Sequence, residues 1–154
     1  MKPKINYSYT IGYKPLCCYH FLHYGVDETC YKYRILPHID DVVKELLKNP
    51  ISRHATIVTL TETNYACLIS LGFQIVRNRL VVCATFRSQC AKNGRPSDTV
   101  MLRWIATKVM KMLNLKRFKI YVTVYNYHIN DELTEQNKNN EEVQRNLRIL
   151  KYLV

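Results

Sequence analysis

In HIDDVVKELLKN the apolar residues Ile39, Val42, Val43, Leu46 and Leu47 recur at i, i+3, i+4, i+7 and i+8, the spacing of one helix face. The spacing predicts a helix over 39–48. Asp40 and Asp41 suit its first turn, where the helix dipole favours negative charge, and Asn49-Pro50 stops it. The period then changes. The β-branched run ATIVTLT, residues 55–61, predicts a strand, and residues 66–76 and 79–88 predict two more with Arg77-Asn78 at the turn. In the last of these, Leu80, Val82, Ala84 and Phe86 share one face; Val81, Cys83, Thr85 and Arg87 share the other. Ser97 or Asp98 is expected to cap a helix over 98–113, with Leu102, Ile105, Ala106, Val109 and Leu113 inward. Residues 118–129 alternate as a long strand. After a polar linker, residues 140–152 predict a closing helix with Val143, Leu147 and Leu150 inward. Residues 1–36 have no assignable period, and Pro37 is expected to end that section.

This order of elements predicts one α+β domain over 1–154: a mixed twisted sheet of about five strands with packed helices. At 154 residues and 47% hydrophobic, the chain is long enough to bury a core. The strands carry apolar residues on both faces, which leads to the expectation of a homodimer burying one sheet face. No apolar run approaches the ~20 residues a bilayer needs, so no membrane partner is expected. Residues 1–20 lack the order of a secretion signal. The expected location is cytoplasmic, with the six Cys as free thiols.

Charge adds a direction. Lys and Arg number 23 against 12 Asp and Glu, a net +11 that favours polyanionic or phosphorylated partners. Arg87 aside, ten of the cations lie from Arg77 to Lys119: Arg77, Arg79, Lys92, Arg95, Arg103, Lys108, Lys111, Lys116, Arg117 and Lys119. They define one function class, a non-catalytic protein that binds RNA, DNA or a ribonucleoprotein through a basic surface. The bland alternative is a solvated helix face and loops. Cys17, Cys18, His20, His23 and Cys30 raise a zinc site, but their spacing matches no standard finger, and no metal is assigned.

A second function class comes from a resemblance. The stretch Asn49-Pro50-Ile51-Ser52-Arg53-His54 after a helix, Cys67 with Gly72-Phe73 at five and six residues, Arg87-Ser88 at a strand end, Pro96-Ser97-Asp98, and a late strand through Asn126 and His128 fall in one order. That order resembles the thymidylate synthase and deoxycytidylate hydroxymethylase superfamily over about residues 38–150. The resemblance implies a thymidylate synthase-like fold, a homodimer and a pyrimidine nucleotide monophosphate ligand. It implies phosphate binding by Arg87 and Ser88, and by Arg53 and His54 from the partner chain. It implies base reading by Asp98, sugar contacts by Asn126 and His128, and Cys67 as nucleophile. If the reaction is retained, Cys67 adds to C6 and methylenetetrahydrofolate supplies one carbon to C5. The chain departs from the family pattern at Ala66, Leu68, Gly72 and Cys90, and the family's catalytic Glu and folate-side Trp have no counterparts.

Overall fold

The computed structural model describes residues 4–13, 31–59, 66–91 and 94–128. They form β1 (Lys4–Ile11), α1 (Tyr31–Lys48), β2 (Thr56–Val58), β3 (Leu68–Val76), β4 (Arg79–Cys90), α2 (Gly94–Met112) and β5 (Phe118–His128). The fold class is α+β. The five strands make one mixed sheet in the order β1-β5-β4-β3-β2. β4 and β5 are parallel, joined by α2 as a crossover; every other pair is antiparallel.

Alternation along the strands separates two faces. Phe73, Val82 and Ile120 stand in register on one face. So do Leu71, Ala84 and Val122, and so do Phe86 and Val124. All are buried. α2 packs on β4 and β5, α1 packs on β2 and β3, and their apolar residues join those strand positions in one core. Burying residues such as Phe73, Phe86 and Phe118 contributes about 1.5–3 kcal/mol each.

Two connections set the register. Arg77 and Asn78 both have positive φ, 50° and 57°, the geometry of a tight two-residue hairpin turn. Asn114, with φ 53°, ends the α2 turn, and Leu115 N–H donates to the Met110 carbonyl there at 2.9 Å. Between Leu68 and Ser70 the β3–β4 register shifts, a bulge that bends the start of β3.

Three sequence expectations change. The first helix starts at Tyr31, not after Pro37, and Pro37 lies inside it. The apolar stripe extends upstream, since Ile35 is fully buried beside Ile39, Val42, Val43 and Leu46. Burial on that stripe outweighs the backbone hydrogen bond that proline forfeits. The second helix starts at Gly94, so Ser97 and Asp98 lie within its first turns rather than at its cap. Pro96 fits there because the first helical N–H groups have no partner inside the helix. The missed strand, β1, pairs with β5 along its whole length. The closing helix over 140–152 and the cluster Cys17, Cys18, His20, His23 and Cys30 lie outside the described residues. Among the described residues no His, Cys, Asp and Glu group could hold a metal, and no helix is long and apolar enough to cross a membrane.

Candidate functional site

At the C-terminal ends of β4 and β5, several residues named from sequence come together. Arg87 N–H donates to the Cys67 carbonyl at 2.8 Å, and Arg87 Nε donates to the Ala66 carbonyl at 3.3 Å. Ser88 is paired with Asn126 across the parallel ladder, and its Oγ lies 3.4 Å from His128 Nδ1. Asp98 reaches this end from α2 and acts electrostatically on Cys67.

Arg53 and His54 lie elsewhere. Their loop is tied to the far half of β3 by Phe73 N–H to the Ala55 carbonyl and Ile75 N–H to the Pro50 carbonyl. Seven residues of strand separate Cys67 from Gln74, about 23 Å at ~3.3 Å per residue. Within one chain these two groups of residues stand at opposite ends of the sheet.

The chemistry at the Cys67 end is not that of a ready nucleophile. The packing around the Cys67 sulfur pushes its thiol above the ordinary value, even though the residue is exposed by area. Arg87 pulls it down by less, and Asp98 raises it further. Nucleophilic attack needs the thiolate, and this environment disfavours it.

Asp98 is engaged inside the fold. Gln89 donates from Nε2 to Asp98 Oδ2 at 2.8 Å, and Tyr9 donates from its hydroxyl to Gln89 Oε1 at 3.0 Å. Burial pushes the Asp98 carboxyl up to about 7, against the opposing pull of the Gln89 bond. Burial also pushes Tyr9 up to about 12. Arg95 closes the cluster: Nη1 donates to the Tyr127 hydroxyl at 3.2 Å, and its guanidinium lies 4.7 Å from the Tyr9 ring centre. Tyr7 stacks on Tyr127 at 4.3 Å. Gln89, Tyr9 and Tyr127 were missed in the sequence. The alternation Ile5, Tyr7, Tyr9, Ile11 carries the signal for the two β1 tyrosines.

The ten-cation cluster divides. Lys92 lies outside the described residues, and Arg95 is held by the tyrosines. Arg77, Arg79, Lys116, Arg117 and Lys119 meet at the other end of the sheet. There the β3–β4 turn abuts the α2–β5 connection, with Leu80 N–H donating to the Arg117 carbonyl at 3.1 Å and Leu80 level with Phe118. The result is a basic rim across the start of β4 and β5.

Between the rim and the Cys67 end lies the sheet face away from the helices. One row reads Thr10, Tyr121, Cys83, Gly72 and Thr56; the next reads Ser8, Thr123, Thr85, Ser70 and Val58. These two rows are mostly small and polar, and the same face also carries Val58, Val76, Val81, Tyr121 and Tyr125. A Cβ built on Gly72, mid-row, meets nothing within 4 Å, so the face is open there. Tyr121 and Tyr125 are 40% and 50% exposed, and Lys119 Nζ lies 4.9 Å from the Tyr121 ring centre. None of the five strands contains Asp or Glu. Among the described residues the acids are Asp40, Asp41, Glu45 and Asp98, all on helices. Among the described residues the open face is therefore free of carboxylates and is bounded at one end by cations.

No protein-family model and no curated protein matches this chain.

Proposed function

We propose that this protein binds nucleic acid on its open sheet face, without catalysis. The carrying observation is that, among the described residues, this face is acid-free, uncovered at Gly72, and bounded at one end by the rim of Arg77, Arg79, Lys116, Arg117 and Lys119. Small Ser, Thr, Cys and Gly side chains let a polynucleotide approach the backbone closely. Exposed tyrosines supply rings against which bases or sugars can pack. The strands themselves carry no carboxylate to repel phosphate.

The test is fluorescence anisotropy of labelled RNA, single-stranded DNA and duplex DNA across 50–200 mM salt. Five phosphate contacts give a log–log salt slope of about −3.5 to −4.5, and affinity falls by roughly a hundredfold or more over that range. Gly72→Trp, placed in open space, should block binding while leaving the thermal midpoint near wild type. The absence of binding to all three probes at the lowest salt would falsify this function.

A second reading rests on the convergence of Cys67, Arg87, Ser88, Asp98 and His128 at one sheet end. There a pyrimidine nucleotide monophosphate would bind with its phosphate on Arg87 and Ser88. Arg53 and His54 could join it only from a second copy, which makes that reading homodimeric. The raised Cys67 thiol carries no folate-dependent transfer into it. Calorimetric titration with CMP, dCMP, UMP and dUMP decides it; silence at millimolar nucleotide removes it.

A further inference from the structure

Tyr121 and Tyr125 share the open face of β5 and lie four positions apart along the strand, about 13 Å at ~3.3 Å per residue. Stacked bases in a duplex follow one another every ~3.4 Å and present only their edges to a protein. Two rings set this far apart on a sheet suit bases that have been pulled out of a stack and splayed, each offering its flat face to one tyrosine. Lys119 strengthens this arrangement. It stands two residues before Tyr121 on the same face, its ammonium 4.9 Å from the ring centre, at the start of the basic rim. A ring with a cation beside it provides for a base and for the phosphate attached to it. Beside the rings, the two central rows of the face hold only Ser, Thr, Cys, Gly and Val.

We infer that the nucleic acid taken by this face is single-stranded, with bases laid on Tyr121 and Tyr125 and phosphates on the rim of Arg77, Arg79, Lys116, Arg117 and Lys119. This rests on the nucleic-acid function proposed above and adds the strandedness and polarity of the ligand. The strand enters over the rim, where β4 and β5 begin, and runs along β5 toward Asn126. Rim and rings make separable contributions. The rim sets the salt dependence and is indifferent to base identity. The rings set the preference for unpaired bases and are nearly indifferent to salt.

The experiment compares a labelled single strand of ~12 nucleotides with its own duplex, by anisotropy, over a salt series. The wild type should bind the single strand more tightly. Tyr121→Ala and Tyr125→Ala should each weaken single-strand binding roughly fivefold or more with an unchanged salt slope. Lys116→Gln with Arg117→Gln should lower the magnitude of the slope by about 1.4. All four positions are exposed, so thermal unfolding should show every variant folded. Equal or tighter binding of the duplex, or tyrosine variants that bind like wild type, would overturn the inference. If duplex binding is also blocked by Gly72→Trp, the nucleic-acid function stands and only its strandedness is wrong. If neither probe binds the wild type, both fall together.

Discussion

Gln89, near the end of β4, holds Asp98, in the first turns of α2, through a 2.8 Å bond from its amide nitrogen. This bond locks the helix start to the strand that precedes it. It also turns a residue expected to read a base or cap a helix into an internal acceptor. The burial that accompanies it raises the Asp98 carboxyl to about 7.

That rise fixes a pH dependence. Asp98 ionises near 3.8 when unfolded and about 7 when folded, so between these values the folded state binds the extra proton. Stability therefore falls as pH rises through that window, and the loss is complete above about 7. Asp98→Asn keeps an acceptor for Gln89 and removes the charge. Relative to wild type it should gain up to about 4 kcal/mol at pH 8 and almost nothing at pH 4. Urea unfolding at the two pH values measures the difference; a variant destabilised equally at both would show that Asp98 is not a buried acid.

The upstream part of α1 is held by specific contacts. Tyr31 accepts a hydrogen bond from Leu68 N–H at 3.0 Å, and Arg34 donates to the Thr59 carbonyl at 2.8 Å. Tyr31→Phe leaves that strand N–H unpaired, a cost of about 1–3 kcal/mol. Ile35→Ala should cost about 2–5 kcal/mol, as expected for a fully buried side chain. Chemical denaturation that finds both variants neutral would mean that the helix begins after Pro37.

Cys67 should behave as an unactivated thiol. Its alkylation by iodoacetamide at pH 7.5 should be slower than that of an unstructured cysteine peptide. Arg87→Ala should slow it further, because the guanidinium is the one group pulling the thiol down. Alkylation faster than the peptide would restore a nucleophile at this position.

Much of the fold was legible because period reports burial. The β4 alternation fixed which of Leu80, Val82, Ala84 and Phe86 faced inward, and the register places all four in the core. Pro37 misled because proline lowers helix propensity without forbidding a helix whose buried stripe continues through it. β1 was missed although Ile5, Tyr7, Tyr9 and Ile11 alternate; it forms only by pairing with β5, more than a hundred residues away. The site was less legible. Nearness in sequence joined Arg95 to Lys119 in one basic cluster, whereas the crossover puts Arg95 beside Tyr9 and Lys119 on the opposite rim. The absence of acids from the five described strands was visible in the letters, but it acquires meaning only once those strands share a face that no described residue covers at Gly72.

Amide chemical-shift mapping locates the nucleic acid on the protein surface. Isotope-labelled protein is titrated with a saturating short oligonucleotide at low salt. Binding on the open face shifts Gly72, Cys83, Thr85, Tyr121 and Thr123 and the rim from Arg77 to Arg79 and Lys116 to Lys119, and leaves α1 silent. Shifts confined to α1 and α2, leaving Gly72, Cys83 and Tyr121 unmoved, would contradict it.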